Sequence, residues 1–555
     1  MRLTSVLLCL LSALSAGAGF SRAGEPAPAG GPAPAPASAS YPLQQLLLAD
    51  SVEAAQALQP DAAGGFVVLH GPLANANREE LEKRLAAGKG QMISDQLLTA
   101  IIQVVTIFFR QQDLPVAEVI IPPQNIASGT VRLAVLRGKF RQIKFQGNRW
   151  FSESLLRETL KVQKGEIIRL SELDQAVSWV NTNPFRRVRV HIEPVAETGE
   201  ADLTIGVEER IPLRLALSYD NTGNNILGFD RYTAAVTYGN VWGKDHQASY
   251  QFTTTHDPSL IQAHAFDYRI PLPWRHTLLV SASSARVEAP LFEGYFLQTG
   301  HSASADVKYV APLKFKGWHA EVSGALSFKQ SDNNLEFGDY SAFAALTDTF
   351  SASVGITAVR PDRRGRWVIS GNLIGSPGDV NSRNTDATFS NSRYGARARF
   401  LYGQIWAQRI TALAPSLSLM NRAIVQGGAS TNLLPSEQFS LGGTASVRGY
   451  QERIYSGESG FMLNQELHKQ LPARVLSKRL PPLESTLVAF WDYGRVYTHR
   501  LNPDVREVAN ATLQSFGFGV RFNLGRFLNA TLRLRPAGQG SPDHRPSAGA
   551  ACTRG

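Results

Sequence analysis

From Leu213 to Arg535 the chain alternates apolar residues with small or polar ones at a period of two. Ala248, Tyr250 and Phe252 take turns with Gln247, Ser249, Gln251 and Thr253. Phe350, Ala352, Val354, Ile356 and Ala358 alternate with Ser351, Ser353, Gly355 and Thr357, and Phe516, Phe518, Val520, Phe522 and Leu524 with Ser515, Gly517, Gly519, Arg521 and Asn523. Successive side chains of a strand point to opposite faces, so each segment has one apolar and one small or polar face. About fifteen such strands follow one another, each roughly 10 residues long and joined by alternating short and long polar connections. A soluble sandwich shows the same alternation, but with shorter strands and its polar face turned outward. The longer strands predict an antiparallel sheet curled into a barrel, apolar face to lipid and polar face to a wet lumen.

The 555 residues exceed one soluble core and suit two small domains plus a large barrel. Charged residues make up 18%, which excludes a disordered chain. The net charge is +10, yet Lys and Arg are scattered over many segments, which argues against a nucleic-acid partner. Arg2, the apolar run Leu3–Leu14 and small-residue sites at Ala16-Gly17-Ala18 or Ser21-Arg22-Ala23 predict a signal peptide over residues 1–23. The longest later apolar stretch, Leu97–Phe109, is broken by Thr99, Gln103 and Thr106, short of the roughly 20 residues of a spanning helix. If an exported chain without such a helix spans a membrane, it does so as a barrel. Of two cysteines, Cys9 lies in the signal and Cys552 near the end, so neither an intramolecular disulfide in the mature chain nor a cysteine metal site is expected.

Residues 24–64 read as a linker, richest in Pro and Ala over Glu25–Ser40. Within it Leu43, Leu46, Leu47 and Leu58 predict a short amphipathic helix. Two units of similar grammar follow. In the first, a strand at Phe66–Leu69 precedes helices at Arg78–Leu85 and Ser94–Gln112 and strands at Val116–Ile121 and Thr130–Leu136. In the second, the order is Phe140–Phe145, Ser152–Leu160, Leu170–Asn181, Val188–Ile192 and Leu203–Val207. Ser94 and Ser171 stand where N-caps would, each followed by an acidic residue in the first turn. This β-α-α-β-β order resembles that of POTRA domains, one over 65–138 and another over 139–209, with the barrel over 210–535.

One loop departs from the strand pattern. Behind Gly442-Gly443 comes Ser446-Val447-Arg448-Gly449-Tyr450, and Phe490-Trp491-Asp492-Tyr493-Gly494 follows on a later strand. Glycine tolerates backbone angles other residues avoid, so an arginine on this turn can reach far from its own strand. By parity Val488, Phe490, Asp492 and Gly494 share one face, and Leu487, Ala489, Trp491 and Tyr493 the more membrane-like other. A loop folded into the lumen would set Arg448 against Asp492 in a charge-assisted pair.

These two motifs, in this order, resemble the lumenal loop and partner strand of outer-membrane barrels that carry POTRA domains. With two POTRA units, and with Asn183-Pro184-Phe185-Arg186 and the turn from Pro123-Gln124 to Gly129, the chain looks most like the two-partner secretion transporters of the haemolysin secretion/activation type. The resemblance implies two α/β POTRA domains in the periplasm, then a transmembrane antiparallel β-barrel of nominally 16 strands, of which this chain lacks the last or carries it only in degenerate form, in the outer membrane of a diderm bacterium. It implies a lumenal loop motif of Gly442, Gly443, Val447, Arg448, Gly449 and Tyr450, with Phe490, Asp492 and Gly494 as its partners on the barrel wall. It implies a client groove on the first POTRA domain, here Ile101, Val104, Val105, Phe108, Val116, Val119 and Ile121, and an N-terminal helix in the pore, for which Leu43–Leu58 is the candidate. The implied partners are a large β-helical exoprotein (an adhesin, cytolysin or toxin), outer-membrane lipid, the barrel-assembly machinery and periplasmic chaperones.

No catalytic signature is present: no Gly-x-Ser-x-Gly elbow, no His-Glu-x-x-His and no phosphate loop. His246, His256 and His264 are too widely and evenly spaced for a metal site, and no metal or cofactor is expected. Asp220-Asn221-Thr222-Gly223 reads as a turn. The alternative functions are a factor that inserts barrels into the membrane and a passive diffusion porin, the latter having no use for POTRA domains. Members of the family end in a strand with a terminal aromatic residue. Here Leu528, Ala530, Leu532 and Leu534 form an outward face, Pro536 stops it, and 536–555 is a polar tail expected to lie outside the barrel.

Overall fold

The computed structural model describes residues 41–60, 65–195, 199–223, 227–291, 296–315, 317–337, 340–476, 481–504, 507–525 and 527–534. The expected signal peptide, the Pro/Ala-rich stretch Glu25–Ser40 and the tail from 536 lie outside the described residues, as does any sixteenth strand there. Two compact units divide the chain, one holding the residues up to Gln112 with Ala117–Leu136, the other Asp113–Val116 and everything from Arg137.

The first unit contains β1 (Gln45–Ala49), α1 (Val52–Ala57), β2 (Val67–Leu69), α2 (Arg78–Leu85), α3 (Asp95–Gln111), β3 (Ala117–Ile120) and β4 (Thr130–Arg137). Its sheet order is β2-β1-β4-β3, with β1 parallel to both neighbours. This corrects the helix expected over Leu43–Leu58. Leu46, Leu47 and Leu48 are fully buried, and an unbroken apolar run is what a parallel strand covered on both faces requires. The segment that resembled a pore plug is thus an inner strand of the first domain, which therefore begins ahead of residue 65, and helix is confined to Val52–Ala57. Ser94 caps α3 by accepting from the Leu97 N–H at 3.2 Å. The α3 face of Ile101, Val105, Phe108 and Phe109 is buried.

The second unit opens with β5 (Lys139–Gln146), α4 (Glu153–Leu160), α5 (Leu170–Val180), β6 (Arg186–Val195) and β7 (Glu200–Glu209), in sheet order β5-β7-β6. Ser171 is not the N-cap expected of it. Asp113 caps α5 instead, accepting from the Ser171 N–H at 2.5 Å and its hydroxyl at 2.6 Å. A carboxylate there satisfies the orphan donors and suits the positive end of the helix.

Among the described residues fifteen antiparallel strands follow, from Leu213–Asp220 to Leu528–Leu534, each paired with its neighbours in chain order. Leu217, Val354, Phe518 and Leu534 stand exposed on the outer face, while Asn464, Asp492 and Ser515 are buried on the inner one. The hairpin after Arg231–Val241, which joins the second and third strands, is clamped to the β5-β7-β6 domain. Asp245 accepts from Arg186 Nη2 and Asn183 Nδ2, each at 2.6 Å, and Asn240 donates to the Trp150 carbonyl at 2.9 Å. This fixes that end of the strands as the POTRA side, and antiparallel alternation puts the turns at 272–276, 363–364 and 415–416 there too. Among the described residues no helix is long and apolar enough to cross a membrane.

Candidate functional site

Between the strands Leu417–Gly427 and Ser459–Gln470 the chain leaves the wall, forms a small hairpin (Phe439–Leu441 with Tyr455–Gly457), and packs against the inner face. Gly442 and Gly443, at φ of 100° and 99°, make the sharp exit after the first hairpin strand, where an L side chain would be strained. At Gly443 a Cβ would also overlap the Glu452 carboxylate, which holds the Thr444 N–H at 2.8 Å. The tip is thereby set, with Gly449 at φ 110° just beyond Arg448.

Arg448 is 3% exposed and lies against Asp492, which is 0% exposed. Its Nε donates to Asp492 Oδ2 and its Nη2 to Oδ1, each at 2.6 Å, and its backbone N–H adds a third bond at 3.1 Å. Its Nη1 donates to Glu466, and the guanidinium carbon stands 3.8 Å from the Phe490 ring centroid. The fork therefore spends its donors on two carboxylates and its face on an aromatic ring, a combination open to arginine and not to lysine. Tyr450 donates to the Gln514 carbonyl at 2.9 Å. Val447 is buried with Leu441, Met462 and Leu513. Gly494 gives them room, since a Cβ there would come within 2.6 Å of Leu441 Cδ2.

Several partners were not named from the sequence. Asn464 stands directly opposite Asp492 across the ladder and donates to Asp492 Oδ1 and to the Ser446 carbonyl, each at 2.8 Å. Arg422 Nη2 reaches the Ala445 carbonyl at 2.8 Å. Glu466 also accepts from Arg521 at 2.6 Å and lies 2.7 Å from His468 Nε2. The base of the loop has separate anchors. Glu437 accepts from Lys329 at 2.7 Å and Tyr402 at 2.8 Å, and Glu458 from Arg393 at 3.1 Å and the His499 N–H at 2.8 Å. Asn464, Glu466 and His468 were visible as the polar half of an alternating strand, the same parity that turned Asp492 inward.

The residues expected to line a client groove are placed differently. Ile101, Val105, Phe108 and Val119 are buried in the first domain, and Val116 belongs to the core of the second with Phe140, Leu156 and Ile205. Val104 and Ile121 are half-buried. The apolar stripe chosen for a groove is mainly the face by which α3 grips its own sheet. Ile107 stays 52% exposed, and β3 ends the sheet order with Ala117 and Val119 buried and Glu118 and Ile120 half-buried. Among the described residues no cluster of three or more His, Cys, Asp or Glu could hold a metal ion.

Two POTRA-type domains, a large antiparallel transmembrane sheet and a loop latched to its inner wall define an outer-membrane protein of the POTRA-plus-barrel class. POTRA models match residues 67–138 (POTRA domain, ShlB-type) and 138–210 (surface antigen variable number repeat). The chain belongs to the haemolysin secretion/activation protein family (ShlB/FhaC/HecB), whose model matches residues 199–522. It is 23% identical over 397 residues to the outer membrane transporter CdiB of Dickeya dadantii, covering 68% of this chain and 66% of that one. It is 23% identical to the heme/hemopexin transporter protein HuxB of Haemophilus influenzae strain 86-028NP, covering 80% and 78%. The hemolysin transporter protein ShlB of Serratia marcescens is 24% identical, covering 70% of each. The structure of CdiB from Escherichia coli superposes with a TM-score of 0.68 at 16% identity, over 91% of this chain and 90% of that one. Membership of this family places the protein in the outer membrane with its POTRA domains in the periplasm.

Proposed function

We propose that the protein is the outer-membrane pore of a two-partner system, moving one large exported polypeptide from the periplasm to the cell surface. The observation that carries this reading is the loop 428–458, held inside the barrel by Arg448 on Asp492 and Glu466. A loop fixed to the wall by a polar network, and not by covalent or wholly apolar contact, can be displaced by a chain that competes for the same wall. The family match over the barrel favours transport over insertion of other barrels. The client is an unfolded exoprotein of the β-helical adhesin, cytolysin or toxin class, brought by periplasmic chaperones, and the barrel itself reaches the membrane through the assembly machinery.

Capture by the first domain fits strand addition at β3, because an open sheet edge offers backbone hydrogen bonds without demanding one sequence. Ile107 supplies the exposed apolar neighbour. The test is co-expression with an exoprotein of that class. Arg448→Ala is expected to lower surface exoprotein while heat-modifiable barrel stays in the outer membrane. A photo-crosslinker at Ile107 is expected to trap the client, and Val119→Pro to weaken that trapping. Normal secretion by Arg448→Ala would reduce the latch to a structural contact. Crosslinks from the second domain alone would move capture to Phe140–Glu208.

A further inference from the structure

On the lipid-facing surface, four adjacent strands carry a row of alternating tryptophan and arginine toward their POTRA-side ends: Trp318, Arg360, Trp367 and Arg409. Arg360 stands directly opposite Trp367, and Trp367 opposite Arg409. The Arg360 guanidinium lies 5.6 Å from the Trp318 ring centroid, and that of Arg409 lies 5.3 Å from Trp367. The two arginines differ in one respect. Arg409 is forked onto Asp362, whereas among the described residues Arg360 has no carboxylate partner. A groove of about 340 Å³ opens at Arg360, lined by Trp318, Trp367, Ile369 and Asp362, whose carboxylate is taken up by Arg409. Arg363 and Arg364 lie exposed in the adjoining turn.

Four residues further along each strand, roughly 13 Å, a second groove of about 590 Å³ begins on the same outer face. Its floor is made by Gly371, Gly403 and Gly427, and its walls by Ile356, Leu373, Ile405 and Val425. Gly371 sits between Ile356 and Ile405, and Gly403 between Leu373 and Gly427. Packing does not require these glycines. A Cβ at 371 or 427 would meet nothing within 4 Å, at 403 the nearest atom would be 3.8 Å away, and none of the three has a positive φ. They leave surface unfilled where hydrocarbon meets the barrel.

We propose that this surface holds one phospholipid of the periplasmic leaflet. Its phosphate lies on Arg360 between Trp318 and Trp367, and an acyl chain runs over the glycine floor. Arginine presents a planar fork suited to phosphate oxygens, and tryptophan belongs at the level of the headgroups. Arg363 and Arg364 bias the site toward an anionic headgroup. The continuation of the charged groove onto an apolar one selects a lipid over a free phosphate.

The experiment is a native mass-spectrometric titration of the purified full chain with phosphatidylglycerol, phosphatidylcholine and glycerol 3-phosphate. One tightly retained phosphatidylglycerol is expected, with phosphatidylcholine weaker and glycerol 3-phosphate not retained. Arg360→Gln should weaken phosphatidylglycerol roughly five-fold, the effect of one arginine near an anionic surface. Gly371→Leu with Gly403→Leu should weaken retention of the long-chain lipid by filling its groove. Heat-modifiable mobility reports that each variant is folded, and if the double variant fails this check, Arg360→Gln decides. Equal phosphatidylglycerol retention by the parent and the folded variants overturns the proposal. So does glycerol 3-phosphate binding as well as the lipid, which would make this a free-anion site.

Discussion

Replacing Arg448 by methionine keeps most of the aliphatic bulk of the loop tip and removes a cation shared by two buried carboxylates. Asp492 would lose two side-chain bonds of 2.6 Å and keep Asn464 at 2.8 Å. Glu466 would keep Arg521 and His468. Removing one partner of a buried pair costs about 3–5 kcal/mol, because the other charge stays behind in a poorly solvated place. The remaining donors put this case at the lower end, about 3 kcal/mol. At 1.4 kcal/mol per tenfold, that is on the order of a hundredfold in the equilibrium between docked and released tip. Amide hydrogen exchange on the purified full chain reads it directly. The Arg448 N–H, bonded to Asp492, and the Thr444 N–H, bonded to Glu452, should lose protection by about that factor, while wall amides such as those of Asn464 and Asp492 stay protected. Asp492→Leu alone should expose the tip similarly, and the double variant should cost clearly less than the sum of the two, since the pair is lost once. Tip protection within about threefold of the parent would refute the reasoning. It would mean that Val447, Leu441 and the Glu437 and Glu458 anchors hold the loop without the ion network.

Gly494→Val should loosen the same tip by another route, because its side chain must enter space now held by Leu441 and Val447. Overpacking of this kind costs about 1–3 kcal/mol, and tip exchange unchanged from the parent would count against the packing described. In the first domain the Val67 N–H donates to Glu82 at 3.0 Å and Arg78 lies nearby, which together hold the Glu82 carboxyl below its usual 4.5 against a smaller opposing effect of burial. A depressed carboxylate stabilises the fold above its unfolded value and ceases to as pH falls through its folded one. Protection of Val67–Leu69, corrected for intrinsic exchange, should therefore decline as pH drops below about 4.5 in the parent and be flatter in Glu82→Gln; identical profiles would show that the contact carries no pH dependence.

How far the sequence could be read depended on whether a signal was local. Strand parity is local, so the fifteen-strand wall and the inward face of Asp492 were legible, and the glycine pair marked where the chain leaves the wall. Parity says which face a residue takes but not what it meets. Glu466 was thus one polar residue among many until the loop folded onto it. The loop base was further out of reach, since Glu437 finds Lys329 from 108 residues away and Tyr402 from 35. Leu43–Leu58 was misread for a different reason. A short apolar run fits a helix face and a doubly covered strand equally well, and what decides is the parallel pairing of Gln45–Ala49 with Thr130–Ala134, a contact across more than eighty residues. The stripe assigned to a client groove carries the same ambiguity. An apolar stripe on α3 looks alike whether it faces a guest or its own sheet, and Phe108 and Val105, fully buried, face the sheet. On the reading proposed above, recognition by the first domain would rest on groups a hydrophobic pattern does not reveal: the backbone edge of β3 and single exposed side chains such as Ile107. Edge pairing reads backbone and not sequence, which suits a receptor for an unfolded client and leaves the choice of client to a few side chains beside that edge.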